Sequence, residues 1–138
     1  MVSICRTNML RVISASIALL SAVPLLSEES GLQVEALRDV MLPMRDGVKL
    51  ATDIYLPFKD GQRAAGRFPT VVARTPYNKI YTWAWPVEYW VKRGYVVVSQ
   101  DVRGRYKSEG HWRMLVDDGQ DGYDLLRWIG EQPWSNVR

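Results

Sequence analysis

"GYVVVSQDVRGRYKSEG", residues 94–110, is a β-branched run that passes directly into a polar loop rich in glycine and charge. The run from Tyr95 to Ser99 is continuous rather than alternating, which is typical of a strand buried on both faces, as in a parallel sheet. The loop from Asp101 to Gly110 follows that strand. Because α/β proteins place their sites beyond the carboxyl ends of such strands, this stretch predicts an α/β sheet and one edge of a functional site.

The residues on either side predict helices that alternate with strands. Residues 70–73 form a compact apolar run, and a helix over about residues 86–93 follows, ended by Gly94. Residues 121–131 predict a second helix, with aspartates before and within its first turn, where the helix dipole favours them. Its apolar side is predicted to comprise Leu125, Leu126, Trp128 and Ile129. Strands that alternate with helices imply a parallel sheet.

An antiparallel hairpin is predicted at the front of this sheet. Asp46 and Gly47 form a strong turn signal between two extended stretches. The second stretch, residues 48–56, alternates between apolar and polar positions, so we expect a strand that is buried on one face only. A polar loop over residues 58–67 leads on to the next strand. The predicted fold is a mixed α/β sheet, with a leading antiparallel hairpin followed by parallel strands with helices.

The first 27 residues have the pattern of a secretory signal peptide. A short positive segment precedes the apolar run of residues 12–26, which is shorter than the ~20 apolar residues that cross a bilayer comfortably. We expect cleavage between Ala22 and Ala36, export to the periplasm or the medium, and no stable membrane span afterwards. An uncleaved membrane anchor is the alternative. Cys5 is the only cysteine, so the mature chain is expected to form no internal disulfide.

Composition and motifs exclude several classes of function. The formal net charge is +3, but Arg6 and Arg11 lie within residues 1–27 and all 15 acidic residues follow, so the remainder is nearly neutral. No basic run is interleaved with aromatic residues, so no nucleic-acid partner is expected. The sequence has no Cys/His cluster for zinc and no phosphate-binding loop. Residues 117–122 lack the acid that a calcium loop needs at its twelfth position. We expect neither a metal nor a cofactor.

Four stretches in register carry a specific resemblance. They are "MRDGVKLATDIYLP", "FPTVVARTPYNK", "GYVVVSQDVRGRYKSEG" and "DGYDLLRWIGEQPW". In this order they resemble the start of an α/β-hydrolase of the family that contains cocaine esterases, α-amino acid ester hydrolases and X-Pro dipeptidyl peptidases. The resemblance covers about residues 40–138 and places the partial catalytic domain at residues 34–138. It implies a serine hydrolase that acts on a small-molecule ester, amide or peptide substrate.

The resemblance also implies where the catalytic groups belong. In this family the strand after the helix of residues 121–131 leads into a G-x-S-Y-x-G nucleophile elbow, and the acid and base follow the serine along the chain. The sequence contains no G-x-S-x-G up to Arg138. We therefore expect the nucleophile, acid and base to lie outside this chain, which would be an inactive N-terminal portion of a longer enzyme. The alternative is a non-catalytic exported binding domain.

One catalytic residue is expected within the chain. Tyr77 matches the family tyrosine whose phenol helps to form the oxyanion hole, and Pro76 fixes the backbone just before it. An O–H donor aimed at the developing oxyanion stabilises the transition state. The alternative is a Pro-Tyr turn whose ring packs on Trp83 or Trp85. Those two tryptophans are also candidates for lining an acyl pocket, whereas Trp90 is expected to pack a helix onto the sheet.

Other polar residues near the predicted site are expected to be structural. His111 precedes the expected serine, which is the wrong chain order for this fold, so a solvated imidazole is predicted. Asp101 and Arg103 are expected to form ion pairs or hydrogen bonds that shape the loop. Ser108 has no neighbouring base and is not expected to be a nucleophile. A further strand is predicted from Val137, beside residues 95–99, whose strand would otherwise keep one unpaired edge.

Overall fold

A computed structural model describes residues 31–84 and 86–137, with the backbone alone for residues 82–84. The predicted signal peptide lies outside the described residues. The strands are β1 (Gln33–Pro43), β2 (Lys49–Lys59), β3 (Gln62–Arg63), β4 (Thr70–Thr75) and β5 (Val96–Asp101). The helices are a 3₁₀ helix (Lys79–Ala84), α1 (Val87–Val91) and α2 (Asp118–Glu131). The predicted order of strands and helices is confirmed.

β1 and β2 form the predicted antiparallel hairpin. In the turn, Met44 N donates to Val48 O at 2.8 Å and Gly47 N donates to Met44 O at 2.9 Å. Gly47 has a φ of 85°, a conformation that glycine adopts without steric cost. The β1–β2 register shifts between Leu37 and Val40, and Asp39 in this bulge has a φ of 55°. At this bulge, Asp39 Oδ1 lies 2.6 Å from the buried Lys79 Nζ.

The sheet is mixed, as predicted, with the strand order β1-β2-β5-β4 and the short β3 paired to β2. β4 and β5 run parallel, whereas β2 and β5 run antiparallel. The prediction that β2 is buried on one face only is wrong, because the strand is buried from Leu50 to Pro57. Its polar positions, Thr52 and Asp53, are wholly buried and bind other polar side chains. The polar residues of this strand are therefore buried rather than exposed to water.

β5 is paired on both sides, with β2 on one side and β4 on the other. The prediction of an unpaired edge beside residues 95–99 is therefore wrong. Among the described residues, β1 and β4 are the edge strands of this order, and the segment after α2 returns to the start of β4. Phe68 N donates to Trp134 O at 2.8 Å and Asn136 N donates to Phe68 O at 3.1 Å, which makes a parallel bridge between Phe68 and Ser135. Val137 itself lies in no strand.

Apolar side chains cover both faces of the sheet. On one face, Leu50, Ile54 and Val98 pack in a cluster with Leu125 and Ile129 of α2. The cluster on the other face contains Tyr55 and Val97 together with Val91 of α1, and Trp90 packs against it. This position of Trp90 confirms the prediction. The molecule thus has helices on both sides of a central sheet. No helix among residues 31–84 and 86–137 has the length and apolar character that crossing a membrane requires.

α2 begins at Asp118, three residues before the predicted start. Leu125 and Ile129 are buried as predicted, and Trp128 packs against the same cluster. The prediction is wrong for Leu126, which is 49% exposed. Two aspartates, Asp121 and Asp124, occupy the buried face instead, where each pairs with an arginine. The ion pairs shift the buried face of the helix away from Leu126.

Candidate active site

The carboxyl ends of β4 and β5 lie side by side, because the parallel register pairs Thr75 with Asp101. The loops that follow these strands enclose a cavity of about 390 Å³. Its apolar lining comprises Pro76, Tyr77, Val102, Trp112, Met114 and Leu115. Arg74, Arg105 and Asp118 also line it. The structure therefore brings the two loops predicted to form a site to the walls of one cavity.

Tyr77 lies at the mouth of this cavity with 75% of its surface exposed. Its backbone N–H donates to Thr75 Oγ1 at 3.0 Å, whereas its phenol hydroxyl hydrogen-bonds to none of the described residues. Trp83 lies in the 3₁₀ helix, but its side chain is not described, and Trp85 lies outside the described residues. Their proposed contact with substrate, or with the Tyr77 ring, stays a prediction. The predicted role of Tyr77 in an oxyanion hole likewise stays a prediction.

Arg105 connects the two loops. Its Nε donates to Pro76 O at 3.0 Å, directly before Tyr77. The guanidinium lies over the Trp112 ring at 4.9 Å from the centroid, so the arginine holds one wall of the cavity against the other. At the base of the loops, Val102 N donates to Thr75 O at 3.1 Å. These contacts define the backbone path on both sides of the cavity.

Asp101 is buried beneath the Tyr77 loop. Its Oδ1 accepts a hydrogen bond from Lys79 N at 2.7 Å, which confirms the prediction that Asp101 shapes the loop. The other oxygen, Oδ2, is buried and has no hydrogen-bond partner among the described residues. Burial raises the pKa of the Asp101 carboxyl above its ordinary value, because desolvation disfavours the charged form.

Lys79 is a buried residue that the sequence does not reveal as part of the site. Its Nζ lies 2.6 Å from Asp39 Oδ1 and 3.0 Å from Asp53 Oδ1. Burial alone would lower the pKa of the Lys79 ammonium, but the hydrogen bonds to Asp39 and Asp53 outweigh it and raise this pKa. Those partners lie on other strands, far away along the chain, so no local pattern could have indicated the cluster.

Arg103 has the structural role that the sequence predicts. Its guanidinium binds Asp121 through Nη2 at 2.7 Å and Asp46 through Nη1 at 2.7 Å. It thereby joins the hairpin turn, the loop after β5 and the first turn of α2. The hydrogen bonds to Asp121 and Asp46 raise the pKa of Arg103, so the side chain stays charged throughout the physiological range.

Arg74 was not predicted from the sequence as a site residue. It lies near the end of β4 and lines the cavity. Its side chain is 14% exposed. Nε donates to Gln100 Oε1 at 2.9 Å and Nη1 donates to Asp118 O at 2.6 Å. Burial lowers the pKa of this guanidinium. The sequence does contain an indication of this role, because Arg74 is a charged residue at the end of the apolar run "TVVART".

Ser108 and His111 are not placed for catalysis. Ser108 Oγ accepts from Ala51 N at 2.9 Å and donates to Asp101 O at 2.7 Å, which confirms that this hydroxyl is structural. His111 is exposed, as predicted. Within residues 31–84 and 86–137, no group of three or more His, Cys, Asp or Glu side chains is arranged to hold a metal ion.

Comparison with known proteins identifies the family. The sequence model described as X-Pro dipeptidyl-peptidase (S15 family) matches residues 46–138. The chain belongs to this family. The cocaine esterase of Rhodococcus sp. (strain MB1 Bresler) is 45% identical in an alignment of 103 residues, which covers 71% of this chain and 17% of the esterase. The chain thus spans about a sixth of the length of that relative.

Solved structures of hydrolases share the fold. A CocE/NonD family hydrolase from Staphylococcus aureus superposes with a TM-score of 0.63 at 30% identity, over 75% of this chain and 21% of that protein. An α-amino acid ester hydrolase superposes with a TM-score of 0.61 at 31% identity, over 91% of this chain and 24% of that enzyme. The resemblance and the α/β-hydrolase fold expected from the four sequence motifs are confirmed.

Proposed function

We propose that this S15-family chain forms the N-terminal part of the catalytic domain of an exported serine hydrolase that cleaves ester or amide bonds, including X-Pro peptide bonds. One observation carries the proposal: the exposed Tyr77 follows the carboxyl end of β4 and lines a largely apolar cavity. The alternative, a non-catalytic exported binding domain, has no finding in its favour.

The Tyr77 hydroxyl suits an oxyanion donor on chemical grounds. Attack on an ester or amide carbonyl places negative charge on its oxygen, and a pre-aimed O–H donor in a site with few polar groups stabilises that charge. The loss of one such donor costs about 3 kcal/mol of barrier in comparable sites. Most of the side chains that line the cavity beside Tyr77 are apolar, and a hydrogen bond strengthens where such side chains exclude water. A small acyl group fits the cavity volume of about 390 Å³.

The bridge between Phe68 and Ser135 supports a site for the nucleophile next to Tyr77. A strand that continued this parallel register along β4 would place a residue near position ~142 opposite Thr75, at a rise of about 3.3 Å per residue. Tyr77 lies in the loop that follows the carboxyl end of β4. A serine just beyond that strand would therefore face the cavity.

The coding DNA downstream of Arg138 tests this proposal most directly. We expect a G-x-S-Y-x-G motif within about 15 codons, because one strand separates the end of the chain from the elbow. Its absence in all frames would count against the serine hydrolase. With the motif present, the complete product should hydrolyse p-nitrophenyl esters or X-Pro p-nitroanilides, and Tyr77→Phe should lower kcat about 100-fold.

Export is proposed from residues 1–27 and has its own test. Expression with the native N-terminus in a bacterial host should yield a mature protein in the periplasm or medium. Mass spectrometry should place the new N-terminus between residues 22 and 36. A product that keeps Met1 and sediments with membranes would support the uncleaved anchor instead.

A further inference from the structure

The loop that carries Tyr77 has little apolar anchoring of its own. Tyr77 is 75% exposed, and Ile80 and Tyr81 are 54% and 60% exposed. Lys79 differs from them, because it is only 1% exposed and points into the protein. Apolar burial by residues 77–81 is therefore small, and the contacts of Lys79 carry much of the attachment between this loop and the sheet.

Lys79 binds three strands at once. Its ammonium contacts Asp39 Oδ1 at 2.6 Å on β1 and Asp53 Oδ1 at 3.0 Å on β2. Its backbone N–H donates to Asp101 Oδ1 at 2.7 Å, and its carbonyl accepts from Ser99 Oγ at 3.3 Å, both on β5. The residue is thus fixed at both its side chain and its backbone, two positions beyond Tyr77.

The partners of Lys79 are themselves held in place. The bulge in β1 gives Asp39 a φ of 55°, and Asp39 N donates to Asp53 Oδ1 at 2.9 Å. Lys107 approaches the other oxygen of Asp39 from the solvent side at 2.5 Å. Arg38 lies 3.6 Å from Asp53 Oδ2. The buried ammonium therefore sits in a preformed site whose geometry is imposed by the β1–β2 hairpin.

A buried ion pair of this kind is weak evidence for stability, because desolvation of the charges offsets their attraction. The ion pair does restrict position, because its short hydrogen bonds hold the Lys79 ammonium in one place. Between Lys79 and Tyr77 stands Asn78, which has a φ of 80° and accepts from Ile80 N at 3.2 Å. This tight turn limits the movement of Tyr77 relative to the buried Lys79.

We propose that Lys79, seated on Asp39, Asp53 and Asp101, is a positioning residue that sets the location of the Tyr77 hydroxyl for oxyanion stabilisation. The proposal rests on the function proposed above, because it concerns the same hydroxyl. A displacement of about 1 Å in a catalytic group can cost about 100-fold in rate. Lys79 acts on the reaction through Tyr77 and does not itself reach the cavity lining.

The first test uses the full 138-residue chain and needs no catalytic activity. We expect Lys79→Met to raise the amide hydrogen-exchange rate of peptides within residues 74–81 at least about tenfold, as in local opening. Exchange within β5 should stay as in the wild type. Lys107→Met is the matched control, because it removes a cation from the same Asp39 carboxylate outside the Tyr77 loop, and it should leave residues 74–81 unchanged.

A second variant guards against loss of folding. Lys79→Met leaves the Asp53 carboxylate buried with Arg38 as its nearest cation. Lys79→Met combined with Asp53→Asn removes that buried charge and keeps the acceptor for Asp39 N. If the loop exchanges as slowly in this double variant as in the wild type, the positioning role of Lys79 is refuted, whether or not the hydrolase function is correct.

The second test is a kinetic cycle in the complete hydrolase. Lys79→Met should lower kcat at least about tenfold with KM unchanged, because the hydroxyl acts in the transition state. Tyr77→Phe should cost about 100-fold in the wild type but only about tenfold in a Lys79→Met background that is itself tenfold slower, since Lys79 has no further effect once the hydroxyl is gone. Fully additive losses would overturn the proposal. If the complete wild-type product shows no hydrolase activity, the proposed function is refuted. The positioning role of Lys79 is then decided by the exchange test.

Discussion

Gly104 illustrates how one residue determines the shape of the loop after β5. It has a φ of 67°, and a Cβ atom built on it would lie 2.1 Å from Trp112 N. Its N–H donates to Glu109 O at 2.9 Å, which closes the loop on itself. Two chain segments therefore meet at Gly104 without room for a side chain. This close approach places Trp112 in the cavity wall.

We predict that Gly104→Ala lowers the free energy of unfolding by at least ~2 kcal/mol, since strain at positive φ adds to a backbone clash. Gly119 in α2 is the control, because nothing lies within 4 Å of a Cβ there. Gly119→Ala should be stabilising by about 0.5–1 kcal/mol through helix propensity. Urea unfolding followed by tryptophan fluorescence measures both, and equal midpoints for the two variants would contradict the prediction.

Asp124 provides a dependence of stability on pH. Arg45 binds this carboxylate through its side chain and backbone N–H, and the side-chain hydrogen bond lowers the pKa of Asp124 below its ordinary value. A lowered folded pKa stabilises the folded state above the unfolded pKa of about 3.9, and that stabilisation is lost as pH falls through the folded pKa.

Asp124→Asn should therefore destabilise the protein at pH 6 and lose less stability than the wild type between pH 6 and pH 3. Urea unfolding at both pH values gives the comparison. Asp60→Asn serves as the control, because Asp60 lies exposed in the turn after β2, and it should follow the wild type. A wild-type acid loss that persists unchanged in Asp124→Asn would show that the Arg45 contact does not govern it.

At the scale of elements, α2 shows how ion pairs orient a helix. Leu125 and Ile129 are fully buried, and Asp121 and Asp124 occupy the same face. Arg103 and Arg45 bring their guanidinium groups to these carboxylates from outside the helix. The buried face is therefore part apolar and part ionic, and Leu126 lies outside it.

Ile129→Ala should cost about 2–5 kcal/mol of unfolding free energy, as expected for a fully buried aliphatic side chain. Leu126→Ala, on the exposed side of the same helix, should stay within about 1 kcal/mol of the wild type. Thermal or urea unfolding of the two variants decides between the observed and the sequence-predicted orientation of α2. Equal losses at the two positions would favour the predicted one.

The strand order at this scale explains why the two loops meet. β5 lies between β2 and β4, and its parallel register with β4 aligns Thr75 with Asp101. Lys79, two residues after Tyr77, can then reach Asp101 with its backbone and the β1–β2 hairpin with its side chain. The site depends on this strand order, because the pairing of β4 with β5 brings the Tyr77 loop to Asp101.

At the scale of the whole molecule, the chain combines the proposed oxyanion donor, Tyr77, with a cavity at the edge of a sheet. No G-x-S-x-G motif occurs in its 138 residues. An oxyanion donor without a nucleophile and a base forms no acyl-enzyme. The donor and the scaffold that positions it are thus one part of the proposed catalytic machinery.

We predict that the purified 138-residue chain neither hydrolyses p-nitrophenyl esters nor becomes acylated by them. Absorbance at the p-nitrophenolate maximum reports turnover and bursts, and intact-mass spectrometry reports acylation. The Tyr77→Phe chain is the control and should behave identically, because the hydroxyl alone performs no bond cleavage. Stoichiometric acylation of any residue would contradict the prediction and identify an unexpected nucleophile.

The sequence by itself determined the order of strands and helices, the hairpin turn, the two loops at the carboxyl edge and the family, since periodicity, turn residues and motifs are local. Only the tertiary structure decided that β5 lies between β2 and β4, that β2 is buried on both faces, and that Lys79 is seated on Asp39 and Asp53. Strand neighbours and buried ion pairs join residues far apart along the chain. Their energies depend on desolvation and geometry that arise when the sheet closes around them.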